Sequence, residues 1–356
     1  MTHGSFFGDI GAAKTTNTTW QHDPCRLIAE FLLPFTQEAP RRRYPKSCSS
    51  LDEDDMARLS LRLVSKPFSK MVVAQVGIRV ALTELCRNVR EMPHEDCRKL
   101  FEILVGRHSR VLDVSYATDL TDAEIIVALR RAPLIRVFNC RGCTGLSDSV
   151  FKELSACRRV VSVQVGDCPK LSGRGLLSML RAKRFPASCL RELLMPNLKF
   201  VDDMLMENIL RAIGSGLRIL DVQGTNIGDS TMRSIARHNK SLERLVAGFN
   251  QVTDVGLIAL STSTNGENNV MPMMVELDVG HNPISDTGVL AVCHAFRKLE
   301  TLRVCGMENR LSLGCVHTLS QSLSLLKLLD IRFCSKVRPE HLGSFLWRQK
   351  RVEIVR

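Results

Sequence analysis

Tyrosine and tryptophan are nearly missing from this chain, with two of each among 356 residues. A core with so few large polar-tipped rings must be built mainly from aliphatic side chains, and a nucleic-acid surface that depends on base stacking has little to work with. Long apolar runs are missing too. No stretch approaches the roughly 18 consecutive apolar residues that a membrane helix requires, so no span is expected. The opening residues MTHGSFFGDIGAAKTTNTTW have neither a basic start nor an apolar centre, so no secretory signal is expected. With one Lys and no Arg, they do not read as a mitochondrial presequence either. Neither GxGxxG nor the Walker pattern occurs, which leaves nucleotide binding without support. The 13 cysteines are an odd number spread along the chain. Without a signal they read as reduced thiols, and the expected location is the cytoplasm, with the nucleus or the cytoskeleton and axoneme as alternatives.

The composition that is present, 44% hydrophobic and 24% charged, belongs to a folded chain and excludes a mostly disordered one. The net charge of +12 divides into +3 over residues 1–108 and +9 over the remainder. In that second part basic residues recur in pairs: Arg130 and Arg131, Arg158 and Arg159, Arg297 and Lys298, Lys350 and Arg351. Each pair falls near the end of a predicted helix, where cations offset the negative end of the helix dipole. That regular placement, with few stacking aromatics, makes nucleic acid an unexpected partner.

A repeat governs the chain from residue 109. Leu112-Asp113-Val114, Leu220-Asp221-Val222, Leu277-Asp278-Val279 and Leu329-Asp330-Ile331 are copies of one tripeptide. Aligning the position three before each gives starts at 109, 135, 160, 190, 217, 242, 274, 299, 326 and about 351, with a mean spacing just under 27. Each unit opens with a short strand of alternating residues. A turn residue follows at Cys143, Cys168, Thr225, Asn250, Asn282 and Cys334, where a small polar side chain can satisfy backbone groups. An aliphatic residue and a small-acidic pair come next, as in Leu120-Thr-Asp122, Leu146-Ser-Asp148, Ile227-Gly-Asp229, Val252-Thr-Asp254 and Ile284-Ser-Asp286. These are helix N-cap signals. Helical spacing then appears, for example at Met232, Ile235 and Ala236, or at Val289, Val292, Cys293 and Phe296. One strand and one helix cannot bury their apolar faces alone, whereas stacked units share a core.

This pattern resembles the leucine-rich repeat, in the cysteine-containing variety of F-box proteins, over residues 109–356. The implied fold is an α/β solenoid, a horseshoe of about ten strand-helix repeats with an N-terminal helical F-box-like cap. The fourth unit departs from the pattern with Pro196 and Leu198, and the eighth with Met307. Residues 181–188 and 261–272 read as insertions.

Residues 1–22 are small and polar and read as a disordered tail. Residues 23–76 read as a helical bundle interrupted by a polar loop at 36–50. Within it Asp55, Leu59, Val64, Ser65, Lys66 and Phe68 are similar to the middle of an F-box. The resemblance implies a surface for a Skp-type adaptor made by Leu32, Leu33, Pro34, Leu59, Val64 and Phe68. A bundle of this kind can also serve only to cap the repeats. Residues 77–108, with Val80, Leu82 and Leu85, read as a helical connector.

The remaining chemical motifs have structural explanations. Cys140-Arg-Gly-Cys143 has the spacing of half a zinc site. Its cysteines fall on an inward strand position and in the turn slot, and no second pair follows. Cys293-His294 and Cys315-x-His317 pair a thiol with an imidazole, yet neighbours on a helix point to different faces. Asp52 to Asp55 form an acidic helix start. Hence no catalytic residue, metal or cofactor is expected. The strand positions that face away from the core read Asp113, Asn139, Gln164, Leu194, Asp221, Val246, Asp278, Arg303 and Asp330. The next column reads Ser115, Arg141, Gly166, Pro196, Gln223, Gly248, Gly280, Cys305 and Arg332. From these columns and the adjoining strand positions, Arg141, Gln164, Asp221, Gln223, Arg244, Glu276, Asp278, Arg303, Asp330 and Arg332 are the candidate partner-binding residues of the concave face. The expected function is non-enzymatic. The resemblance implies a substrate receptor of a cullin-RING ubiquitin ligase that binds a Skp-type adaptor and a protein substrate. The alternative is a scaffold subunit held by its neighbours in a large cytoskeletal or axonemal assembly.

Overall fold

A computed structural model of the chain describes residues 78–81 (backbone), 105–107, 109–118, 120–262, 271–337 and 352–355. The chain divides into two units, Met1–Lys70 and Met71–Arg356, and every described residue lies in the second. The expected tail, the F-box-like segment with Leu32, Leu33, Pro34, Leu59, Val64 and Phe68, the loop 36–50, and Leu82 and Leu85 of the connector fall outside the described residues. So do most of the second insertion, at residues 263–270, and the Lys350–Arg351 pair.

Among the described residues, eleven parallel strands form one sheet in strict sequence order. They are β1 Ile78–Ala81, β2 Ser109–Asp113, β3 Val137–Asn139, β4 Ser162–Gln164, β5 Glu192–Leu194 and β6 Ile219–Asp221, followed by β7 Arg244–Val246, β8 Glu276–Asp278, β9 Thr301–Arg303, β10 Leu328–Asp330 and β11 Glu353–Val355. Helices return the chain between them: α1 Asp122–Arg131, α2 Ser149–Leu154, α3 Arg174–Leu180, α4 Asp203–Ile213, α5 Asp229–His238, α6 Asp254–Ser261, α7 Asp286–Ala295 and α8 Leu313–Ser322. This is the leucine-rich-repeat horseshoe. The ten expected strands are β2 to β11, and their register aligns the repeated apolar position throughout, from Leu112 on Phe138 to Leu329 on Ile354.

Residues 78–81 correct the helical reading of the connector. They form β1, which pairs with β2 so that Val80 faces Leu112. The sequence there, Ile-Arg-Val-Ala, lacks the Leu-Asp-Val signature. An extended, β-branched segment beside the open edge of β2 supplies ladder partners that β2 would otherwise lack.

The core is a column of aliphatics with one ring, Phe138. Leu112, Phe138, Val163, Leu193, Leu220, Leu245, Leu277, Leu302 and Leu329 are all fully buried. The helices contribute the faces that their spacing predicts, including Met232 and Ile235 from α5 and Val289, Val292 and Cys293 from α7. The basic pairs are only partly as expected. Arg130 and Arg131 occupy the last turn of α1, and Arg297 and Lys298 follow the C-cap Phe296 of α7. Arg158 and Arg159 stand past the end of α2 at Leu154, where Lys152 fills the last turn instead. Among the described residues no helix is long and apolar enough to cross a membrane.

Two sets of side chains join neighbouring repeats. In the turn slot, Cys143 donates to the Val114 carbonyl, Cys168 to Cys140, Asn250 to Val222, Asn282 to Ala247 and Cys334 to Val304. Each acceptor belongs to the preceding repeat. The slot therefore serves the stack as well as its own turn. The aspartates at the helix starts work in the opposite direction. Asp148 is the N-cap of α2, but Asp122, Asp229, Asp254 and Asp286 are first helical residues, capped by Thr121, Gly228, Thr253 and Ser285. Their carboxylates accept hydrogen bonds from the next helix start. Asp122 takes the Ser147 N–H at 2.8 Å, Asp229 the Thr253 N–H at 2.8 Å and hydroxyl at 2.6 Å, and Asp254 the Ser285 N–H at 2.8 Å and hydroxyl at 2.6 Å. A carboxylate near a helix N-terminus also sits at the favourable end of the dipole. Burial opposes ionisation of Asp122, but hydrogen bonds from Ser147 and Ser149 hold its carboxyl below the usual range.

Candidate interaction surface

The strand residues on either side of each buried leucine lie on the open face of the sheet. In β2 to β11 the positions one before and one, three and four after each buried leucine make four columns, and among their described residues eight are acidic: Asp113, Asp167, Glu192, Asp221, Glu276, Asp278, Asp330 and Glu353. Four are basic: Arg141, Arg244, Arg303 and Arg332. The open face is thus acidic in a chain whose net charge is +12.

The structure joins the expected residues into local groups. Glu276 on β8 is clamped from both sides, with Arg244 on β7 at 2.7 Å and Arg303 on β9 bonded to its other carboxylate oxygen. Arg332 grips Asp330 through Nε and Nη2, the latter at 2.6 Å, and this holds the Asp330 carboxyl below its ordinary range despite burial. Arg141 pairs with Asp167 at 2.7 Å. Burial disfavours the charge on Asp167, while Asn197 and Arg141 more than restore it. Gln164 and Gln223 are half-buried on the same face, and the Gln164 amide donates to the Ser162 hydroxyl at 3.5 Å.

The repeated aspartates have a structural duty that was one of two readings of the Leu-Asp-Val motif. Asp113, Asp221, Asp278 and Asp330 each accept the backbone N–H two residues ahead, and Asn139 does the same in its repeat. This turn fixes the strand exit locally. For the carboxylates of Asp221 and Asp278 it is also the sole hydrogen bond among the described residues, from the Gln223 N–H at 3.0 Å and the Gly280 N–H at 3.1 Å. Burial pushes both carboxyls above the ordinary range, more than the backbone donors and Arg141 or Arg303 lower them.

The thiol-imidazole pairs separate as expected. Cys293 is buried while His294 is exposed, and Cys315 is buried while His317 is exposed. Burial pushes the Cys293 and Cys143 thiols up to about 12, which disfavours the thiolate that a nucleophile or metal ligand needs.

One column was missed by the sequence reading. The residue just before the turn slot has a positive φ in nine successive repeats: Tyr116, Gly142, Asp167, Asn197, Gly224, Phe249, His281, Gly306 and Phe333. Glycine adopts this conformation freely, and asparagine and aspartate tolerate it, but it is an outlier for bulky side chains. The signal was present as the glycines of the column. Its aromatic members reach toward the next repeat: a Cβ on Gly142 would meet the Tyr116 ring at 2.5 Å, and one on Gly306 would meet His281 Nδ1 at 2.3 Å.

Among known proteins, the family model for the leucine-rich repeat matches residues 238–261 and 270–293, which carry β7, α6, β8 and most of α7. No curated protein sequence matches the chain. Among solved structures, a chain of the Rad7 and Elc1 complex from yeast is similar at 11% identity and a TM-score of 0.41, over 85% of this chain and 93% of that one. A likeness at that level does not speak for a partner.

Proposed function

We propose that this chain is a non-enzymatic protein-interaction scaffold that presents the open face of its repeat array to a partner protein. The observation that supports this reading is the face itself. It carries paired arginines and carboxylates, two carboxylates with no cationic hydrogen-bond partner, and aromatic rings left in solvent. Exposed rings and arginines are the residue types on which interface energy concentrates. The finer reading is a substrate receptor of a cullin-RING ubiquitin ligase, in which Leu32, Leu33, Pro34, Leu59, Val64 and Phe68 hold a Skp-type adaptor and the repeats hold the substrate. It rests on the F-box-like sequence of residues 23–76.

Affinity purification of the full chain with mass spectrometry tests both levels. Recovery of a Skp-type adaptor and a cullin is expected, and its loss on Leu33→Ala with Pro34→Ala, at an unchanged melting temperature, supports the receptor. Recovery of a fixed assembly without adaptor replaces the receptor by a structural subunit. Recovery of no specific partner overturns the scaffold.

A further inference from the structure

Three side chains at the strand exits are in a conformation that the fold does not require of such residues. Phe249, His281 and Phe333 have φ values of 56°, 56° and 59°. The equivalent positions of other repeats hold Gly142, Gly224 and Gly306. Burial does not offset the strain, because Phe249 is 54% and Phe333 71% exposed. Bulky residues held in a sparsely populated backbone region and left in solvent point to use by a ligand.

The rings make a connected ridge. Phe249 stacks on His281 with centroids 4.1 Å apart and planes 14° apart, and His281 tilts toward Phe333 at 5.9 Å and 51°. Beside the ridge runs a floor of Gly248, Gly280 and Cys305, where a Cβ on Gly280 would meet the Cys305 sulfur at 2.4 Å. Beyond that floor stand Asp221 and Asp278, whose carboxylates accept from backbone N–H groups and from no arginine among the described residues. His281 lies three residues after Asp278, at most about 10 Å along the chain.

We propose that this ridge and its carboxylates bind an arginine-bearing extended segment of a partner protein, with guanidinium groups on the ring faces and their charge toward Asp278 and Asp221. A planar, weakly hydrated cation matches both parts of the site, since it stacks on aromatic faces and pairs with carboxylates. Single-stranded nucleic acid also uses aromatic stacks, but its phosphates would meet the acidic surplus of this face. The proposal rests on the scaffold reading and names the chemistry of the partner.

The test is fluorescence anisotropy of the full chain with a fluorescein-labelled peptide alternating arginine and glycine. Matched lysine and glutamate peptides and an oligouridylate serve as comparisons. The arginine peptide is expected to bind, more tightly than the lysine peptide and less tightly as salt rises, while the other two do not. Phe249→Gly combined with Phe333→Gly is expected to weaken binding about tenfold or more without lowering the melting temperature, because glycine is at ease at both positions. Asp278→Asn is expected to weaken it as well. Failure of the arginine peptide to bind, equal binding by the double variant, tighter binding of oligouridylate, or a melting loss of several degrees in the double variant each overturns the proposal. Protein partners recovered equally by the double variant overturn the ridge and leave the scaffold reading standing.

Discussion

The strand exits of the first four repeats and those of the fifth to seventh solve one problem with different chemistry. In the first group the left-handed position holds Tyr116, Gly142, Asp167 and Asn197, and the slot behind it holds the thiols Cys143 and Cys168 or the apolar Leu198. Each thiol ties to the preceding repeat through one sulfur contact at 3.0 Å. In the second group the slot holds Thr225, Asn250 and Asn282. Asn250 donates to Val222, Ala247 and Gly248, while Asn282 donates to Ala247, Val279 and Gly280 and accepts from Val252. A thiol is a weak donor, whereas a primary amide has two strong donors and an acceptor. The backbone is therefore held hardest directly after Phe249 and His281, two of the four ring-bearing residues with a left-handed backbone, while Tyr116 and Phe333 keep the same φ without an amide behind them. Strain of that kind persists only where surrounding structure over-determines it. The difference separates what the fold needs at this corner, a buried side chain, from what the second group adds to it, a polar group that bonds the backbone.

The largest effect is expected inside that second group. Asn282→Ala takes the donor from the Val279 carbonyl and the acceptor from the Val252 N–H, and removes one of two donors from the Ala247 and Gly280 carbonyls, and should cost about 3 kcal/mol in urea or thermal unfolding. Asp254→Ala should cost about 2 kcal/mol, because Ser285 loses its acceptor for both N–H and hydroxyl, and Gly288 N–H loses its own. Cys143→Ala removes one weak bond and a small buried sulfur, and should cost about 1 kcal/mol. Equal losses at Asn282 and Cys143 would break the comparison. A loss at Asn282 accompanied by reduced stacking of Phe249 on His281 would sharpen it.

The sequence disclosed this solenoid because its determinants repeat at one spacing. The buried leucines, the slot residues and the helix starts each recur just under every 27 residues, so a single misreading could not hide them. Features whose partner lies one repeat away were less visible. Asp122, Asp229 and Asp254 look like local caps in one dimension, since the hydrogen bonds they accept come from Ser147, Thr253 and Ser285 of the next unit. The aromatic ridge was hidden for another reason. Nothing in the identity of Phe249 or Phe333 announces a left-handed backbone, and only alignment with Gly142, Gly224 and Gly306 reveals it. β1 escaped because Ile78–Ala81 pairs correctly without the motif that marks the other strands.

The smallest effect is also the one with opposite sign. Asp278 keeps the Gly280 N–H satisfied with one oxygen, a task an amide oxygen performs equally well. Its charge, by contrast, is disfavoured by burial and by the neighbouring Asp330 and Glu276. A carboxyl whose folded pKa is raised destabilises the fold at pH values above that pKa, and the penalty fades as pH falls through it toward the unfolded value near about 3.9. Asp278→Asn is therefore expected to raise the melting temperature slightly at neutral pH, and the gain should shrink toward zero as the solution is acidified to about pH 4. Asp330→Asn should do the reverse, because Arg332 grips that carboxylate and its folded pKa is lowered. It should lower stability at neutral pH, with the loss disappearing as pH falls through the depressed folded pKa. Thermal melts of both variants across that range decide the matter. A Asp278→Asn variant less stable than the parent at neutral pH would show that the Asp278 charge supports the fold, and the site would lose its uncommitted carboxylate.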